Sequence, residues 1–265
     1  MTEAISGTAA RGCYTQVMAR TEVIFLGSGD AFSAAGRHQA GYLVRAGEEG
    51  MLLDCGATTL SALKRASVAA DAIDSVFISH LHGDHFAGLP FLFLEYTYAA
   101  PRRRPLRIAG PPGTEERLQQ LYRAMYRDAS RRPLPFEIEY SILWPGRRSE
   151  IGAATVEPFR VPHQEDDISL GLQLKVAGRS ILYSGDTGWT EELVHRSQGI
   201  DLFVCECSFY ETRMSTHLDY PRLAEHRERF GARRMVLTHL GREVLARRSQ
   251  IDIELAFDGM RIEIE

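Results

Sequence analysis

Lysine is almost missing from this chain, with two of 265 residues, Lys64 and Lys175, so its positive charge rests on arginine. Cysteine is scarce too. Cys13, Cys55, Cys205 and Cys207 are too few and too scattered to form a disulfide framework in a chain this long, which excludes a stapled secreted scaffold and fits a reducing cytoplasm. Cys205 and Cys207 sit two apart on an expected strand, share a face and read as buried thiols. No run approaches the roughly 20 apolar residues of a membrane helix, and the longest, after His85, is broken by Glu95. The first twenty residues lack a basic start and an apolar centre, so they do not read as a secretory signal. Residues 1–18 are expected to form a flexible leader and 19–265 one domain. There is no excess of positive charge: the formal net charge is −4, which argues against a generally basic nucleic-acid-binding chain. With 44% apolar and 25% charged residues, collagen-like, coiled-coil and disordered classes are excluded.

The charge is unevenly laid out. Residues 101–148 hold eleven arginines against five acidic residues, net +6, while the rest holds twenty basic and thirty acidic residues, net −10. The core of that segment, PRRRPLR from Pro101 to Arg107, reads either as a steering patch for a phosphorylated or polynucleotide substrate or as a solvated loop.

Strand and helix signals alternate along the chain. TEVIFLGSGDAF, AGYLVRA, MLLDCG and SVFISH read as strands, a helix is expected over Phe86–Tyr98, and another runs from about Thr114 to Arg127. FEIEY, TVEPFRV, SLGLQLKV and RSILYSG alternate in strand fashion and are expected to form a second β-rich half. The tail continues with helix 191–196, strand DLFVCE, helix 220–230, strand RMVLTH, helix 243–248 and strands IELAF and RIEIE. Strands in both halves with helices among them predict an α/β (α+β) chain of two packed sheets covered by outer helices.

Nine histidines are present, and ISHLHGDHFAGLP packs His80, His82, Asp84 and His85 into six residues. Imidazole with carboxylate suits zinc or another borderline transition metal, and the absence of Cys from the cluster disfavours a closed structural zinc site. Four such groups crowd a single ion, but two ions can accept them. Three later strand ends each carry one more candidate: His163 in RVPH, Asp186 in LYSGDT and His239 in VLTH.

SHLHGDH with His163, Asp186 and His239 in this order resembles the five-part metal signature of the metallo-β-lactamase superfamily, over about residues 21–240. The resemblance implies a four-layer αβ/βα sandwich with two metals at one edge of the sheets. His80, His82 and His163 would bind one zinc, Asp84, His85 and His239 the other, and Asp186 would bridge them, with Mn²⁺ or Fe²⁺ as alternatives. LGSGDAF, LLDCG, FISHLHGDHFAGLP, YSGDT and LTHL look most like ribonuclease Z and related phosphodiesterases. His82 stands where flavodiiron oxidoreductases of this fold place Glu, which disfavours a di-iron redox role.

Two cations sharing a water lower its pKa toward neutrality and stabilise phosphoryl oxygens, so a bridging hydroxide attacking a phosphodiester is the expected chemistry. Asp84 would orient the water and take its proton. His217, 22 residues before His239, resembles the additional His of ribonuclease Z-like enzymes and would serve the leaving group, with Glu206 holding its imidazole. His38, His195 and His226 lie outside every motif and read as structural or exposed.

Only 23 residue positions separate His163 from Asp186, enough for two strands and a turn but not for the protruding tRNA-binding arm ribonuclease Z carries there. The loop after DCG and the HLD at His217 also depart from that family's pattern. The expected substrates are an anionic small-molecule phosphodiester or an RNA 3′ end, with no membrane partner, and the resemblance implies a homodimer. A lactonase or thioesterase of the same fold, and a non-catalytic RNA-binding module, remain as alternatives.

Overall fold

The computed structural model describes residues 20–265, so the expected leader lies outside the described residues. Two seven-stranded sheets make up its centre. The first contains β1 (Thr21–Gly27), β2 (Gly41–Ala46), β3 (Glu49–Leu53), β4 (Ser75–Phe77), β5 (Leu106–Gly110) and β6 (Ile138–Ile142). The second contains β7 (Ser149–Ile151), β8 (Ala154–Arg160), β9 (Leu170–Val176), β10 (Arg179–Tyr183), β11 (Leu202–Glu206), β12 (Arg234–Thr238) and β13 (Glu254–Leu255). The last strand, β14 (Arg261–Ile264), leaves the second half and returns to pair antiparallel with β1. The strand orders are β14-β1-β2-β3-β4-β5-β6 and β13-β12-β11-β10-β9-β8-β7.

Alternation explains the layers. Val23 and Phe25 face the second sheet, where they pack with Tyr42, Met51, Leu174, Tyr183, Val204 and Val236. Their neighbours Ile24 and Leu26 point the other way, into a cluster under the helices. Strands buried on both faces read as continuous apolar runs rather than strict alternation, as TEVIFLG does. Helices α1 (Thr59–Arg65), α2 (Gly83–Phe86), α3 (Leu89–Leu94) and α4 (Thr114–Met125) belong to the first half, and Ala62, Leu63, Leu92 and Leu118 pack on that sheet's outer face. Helices α5 (Glu191–Arg196), α6 (Tyr220–Glu225) and α7 (Arg242–Ala246) cover the second sheet through Leu193, Leu223 and Val244. The result is the four-layer αβ/βα sandwich. No helix among the described residues is long and apolar enough to cross a membrane.

Strand direction places the site. β3, β4 and β5 run parallel, and β1, two antiparallel steps from β3, runs the same way. In the second sheet β10, β11 and β12 are parallel, and β8, again two antiparallel steps away, shares their direction. Asp54, His80, His163, Asp186 and His239 all follow the C-terminal ends of these co-directional strands, and Glu206 closes β11.

Several sequence expectations shift. FEIEY belongs to the first half as edge strand β6, because α4 forms a crossover that returns the chain parallel to β5, with Leu106 opposite Ile138. The helix expected over 86–98 divides at Gly88 into α2 and α3 and ends in a wider turn over Glu95–Ala99, closed by Ala100 N donating to Glu95 O at 2.8 Å. Helix 220–230 stops at Glu225, and IELAF keeps only two strand residues. Cys55, Cys205 and Cys207 are buried and unpaired, the last two sharing the outer cluster of the second sheet.

The arginine-rich turn is largely structural. Arg102 is buried: its guanidinium donates to Ile73 O at 2.8 Å, Pro105 O at 2.6 Å and Asp71 Oδ1 at 3.0 Å, and stacks over Tyr96. Arg104 pairs with Asp71 and Asp74, Arg107 with Glu139 and Arg117 with Asp167. Asp71, Asp74 and Asp167, which lie outside the segment, offset half of its excess charge. Arg102→Ala, which strips four acceptors, Arg104 O among them, of their donor, is expected to cost about 2–4 kcal/mol in denaturant unfolding, whereas Arg103→Ala, an exposed site, stays within about 0.5 kcal/mol.

Candidate metal centre

The loop after β4 turns sharply. It is pinned by Asp54, whose backbone sits in the left-handed region at φ 56° as the chain leaves β3. Asp54 is buried, and it accepts hydrogen bonds from Ser79 N and Ser79 Oγ, each at 2.7 Å, and from Tyr183 Oη of the opposite sheet at 2.6 Å. Its Oδ2 also meets His85 Nδ1 at 2.8 Å. Ser79 Oγ lies 3.0 Å from His80 Nδ1, so one carboxylate orients two rings, one directly and one through a hydroxyl. The loops interlock through backbone as well: Cys55 N donates to His85 O, and Gly88 N to Cys55 O. A side chain at Gly88 would collide with the Gly56 carbonyl, and one at Gly56 with that of Asp84, which explains the glycines of DCG and FAGLP.

Two donor sets result. His82 Nδ1 lies 3.2 Å from His80 Nε2 and 3.0 Å from His163 Nε2. Ligands of a tetrahedral ion at 2.0–2.1 Å stand about 3.3 Å apart, so this spacing fits three imidazoles on one cation. In the second set, Asp84 Oδ2 is 3.2 Å from His85 Nε2 and 3.3 Å from His239 Nε2. Asp186 Oδ2 touches both sets, at 3.3 Å from His85 and His239 and 3.9 Å from His80 and His163.

Two buried atoms, His85 Nε2 and Asp186 Oδ1, make no hydrogen bond although polar neighbours surround them. Such atoms are costly unless a ligand completes them. His163 and His239 are each oriented from behind, His163 Nδ1 by Thr216 O at 2.9 Å and His239 Nδ1 by Ser208 Oγ at 2.9 Å. His239 itself takes φ 53°, strain of about 1–3 kcal/mol at the end of β12.

Electrostatics sort the groups. Burial pushes His80, His82 and His163 below the ordinary imidazole value, so they are neutral and have lone pairs to give. Burial also opposes charge on Asp84 and Asp186, but neighbouring histidines overcome it and hold both carboxyls below the usual range. His85 and His239 rise despite burial, drawn up chiefly by Asp186. A cation competes with those protons for the same lone pairs, and this is the behaviour of a ligand set.

His217 adjoins the cluster. Its Nδ1 lies 3.0 Å from Glu206 Oε1 and 4.0 Å from Asp186 Oδ2, and its ring stacks on His239 with centroids 5.8 Å apart. Burial would lower it, but Glu206 outweighs burial and lifts it to about 9. Glu206 is itself buried and accepts from Thr187 N at 2.6 Å and Ser208 Oγ at 2.7 Å. The N-cap of the following helix α6 is Asp219, whose side chain accepts from Arg222 N. His38 is tied to Leu26 O and Asp258, His195 is exposed on α5, and His226 packs on Trp189, all outside the cluster.

All nine sequence candidates, Asp84, His217, Glu206, His80, His82, His85, His163, Asp186 and His239, therefore come together at one sheet edge. Across residues 21–257 the chain matches the family model for "Anti-Pycsar protein Apyc1". It belongs to that family. A ribonuclease Z of Methanosarcina acetivorans is similar, 27% identical over 271 residues covering 82% of this chain and 87% of that protein. The human short-form tRNase Z crystal structure superposes with a TM-score of 0.75 at 27% identity, covering 92% of this chain and 99% of that one. The metallo-β-lactamase fold protein YhfI from Bacillus subtilis superposes with a TM-score of 0.74 at 22% identity, over 92% and 99% of the two chains. The Apyc1-family chain is thus a metallo-β-lactamase superfamily hydrolase in fold and kinship.

Sequence reasoning missed Asp54, Ser79, Ser208 and Tyr183. LLDCG was visible as a motif, but nothing local shows that its carboxylate reaches His85, 31 residues on. Asp54→Asn is expected to weaken metal binding about 10–100-fold, read by competitive titration with a chromogenic chelator, while the far-UV circular dichroism stays that of wild type.

Proposed function

We propose that this Apyc1-family protein is a dinuclear metal-dependent phosphodiesterase, with zinc in both positions. The observation that carries the reading is the pair of donor sets converging on Asp186, facing a cleft of about 770 Å³ that His217 also lines. His80, His82 and His163 would hold one cation, Asp84, His85 and His239 the other, and Asp186 both. Bound there, two divalent ions supply an acidified water and neutralise phosphoryl charge.

The chain's own groups do the rest. Asp84, beside His85 and His239 at the mouth of the cleft, would orient the attacking water and take its proton. His217, held by Glu206, donates to the leaving alkoxide oxygen. Thr187 N and Ser208 keep the Glu206 carboxylate aimed at that ring.

A small anionic phosphodiester fits better than a long RNA. Between His163 and Asp186 the chain builds only β9, β10 and their connections, leaving no arm, and Arg102, Arg104, Arg107 and Arg117 are engaged in ion pairs. Buried, unpaired thiols support a cytoplasmic location. The proposal includes a homodimer, which the family resemblance implies and the mass in solution tests.

Chelation is expected to abolish turnover of bis(p-nitrophenyl) phosphate and added Zn²⁺ to restore it; unchanged activity in metal-stripped protein sinks the assignment. Asp84→Ala should lose at least about 10³-fold in kcat, and His217→Ala about 10²–10⁴-fold on a diester with an alkyl leaving group but far less on the p-nitrophenyl ester, whose phenolate leaves without a proton. Lactone and thioester panels run beside it should turn over poorly, and preference for either would make the protein a carboxylic or thioester hydrolase instead.

A further inference from the structure

His217 sits on a loop with no regular structure of its own. Between β11 and α6 the chain runs from Phe209 to Asp219, and residues 211–215 are exposed without a break. Its roots are pinned together: Ser208 N donates to Leu218 O at 3.1 Å, and Tyr220 N to Phe209 O at 2.9 Å. A loop closed only at its base can still sway at its tip. Yet two groups of the metal centre depend on where its descending limb lies. His217 is one, and the other is the carbonyl of Thr216, which accepts from His163 Nδ1 at 2.9 Å.

The ascending limb is held by a side chain from another element. Glu243, in the first turn of α7, accepts three successive backbone amides at a single oxygen: Tyr210 N at 3.0 Å, Glu211 N at 2.7 Å and Thr212 N at 3.0 Å. Its other oxygen accepts from the Thr212 hydroxyl. Hydrogen bonds to an ionised carboxylate are about twice as strong as neutral ones. Together they hold the Glu243 carboxyl down at about 2, the Thr212 hydroxyl contributing most, so the brace stays ionised at neutral pH. The helix that carries it is itself fixed. α7 begins just after His239, and a side chain at the intervening Gly241 would strike the Ser208 carbonyl. Arg247 adds a clasp at the surface, pairing with Glu211 and lying over the Tyr210 ring.

We propose that Glu243 is a positioning residue for the leaving-group step: it ties the loop that carries His217 to the helix that follows His239, and so fixes where the imidazole meets the departing oxygen. The inference rests on the phosphodiesterase reading and names a residue through which its proton donor acts. The hydrogen bonds of Glu243 go to the loop backbone and to Thr212, not to His217, so the effect passes along the chain. Small displacements matter here. Proton transfer requires hydrogen-bond reach, and a misplacement on the order of 1 Å can cost about 10²-fold in rate.

The test compares methyl p-nitrophenyl phosphate with methyl phenyl phosphate, whose leaving oxygen has the greater need of a proton. Both are run on zinc-loaded wild type, Glu243→Ala, Glu243→Gln, His217→Ala and the variant carrying both alanines. Glu243→Ala is expected to lower the ratio of phenyl to p-nitrophenyl kcat about tenfold. Glu243→Gln, which keeps an acceptor oxygen for the amides, should recover most of that ratio, and the double variant should match His217→Ala with no further loss. Hydrogen exchange in peptides spanning residues 209–218 should quicken in Glu243→Ala. Equal falls in both kcat values, as loss of zinc or of fold would produce, overturn the inference, and so does unchanged exchange in that loop. A ratio unmoved in Glu243→Ala but lowered in His217→Ala overturns it while leaving the phosphodiesterase and its proton donor in place. A ratio unmoved in His217→Ala removes the proton donor and the inference with it, and turnover of neither ester by wild type overturns the phosphodiesterase reading as well.

Discussion

The Asp186 carboxylate, buried and ringed by imidazole, is the constraint around which the molecule is arranged. Four ring nitrogens stand 3.3–3.9 Å from its Oδ2, and Asp84, Asp54 and Glu206 add further buried or half-buried negative charge within the same few side chains. So much carboxylate out of water is unfavourable unless positive charge accompanies it. The protein supplies some by drawing protons onto His85, His239 and His217, yet His80, His82 and His163 stay neutral. The imbalance has a chemical meaning: three neutral rings with lone pairs to give stand beside ionised carboxylates, which is the donor chemistry of a candidate metal centre.

Such a constellation needs a rigid frame, and the two sheets provide it. Each contributes strands of one direction, so that loops from β3 and β4 meet loops from β8, β10 and β12 at a single edge. The sheets are tied together at that edge by polar as well as apolar contact. Tyr183 of the second sheet donates to Asp54 of the first, and Tyr42 of the first meets Thr238 of the second at 3.0 Å. The metal-facing rings are therefore oriented by groups that belong to the interface between the halves.

Charge on the surface follows a different logic from charge in the site. Arg104, Arg107 and Arg117 spend themselves on Asp71, Asp74, Glu139 and Asp167, and Arg102 disappears into the core as a clamp on backbone carbonyls. What faces the cleft is instead sparse: Arg242, Phe32 and Phe209 beside the histidines.

Residue chemistry and spacing nominated the metal-capable groups, because SHLHGDH places four donors in a loop too short to hide them and His163, Asp186 and His239 each close an apolar run; their sorting into two sets is what the family resemblance implies. They also determined the layered fold, since runs such as TEVIFLG and SVFISH must be buried on both faces. His217 and Glu206 were legible through family resemblance. Tertiary structure alone decided the rest. It moved FEIEY into the first sheet through a parallel crossover, turned the arginine run into ion pairs, and disclosed Asp54 and Ser208 as the groups that aim the rings. The physical reason is common to all of these: a ligand's identity is a property of its side chain, but its orientation, charge and partners depend on neighbours that only the folded chain brings within hydrogen-bond reach.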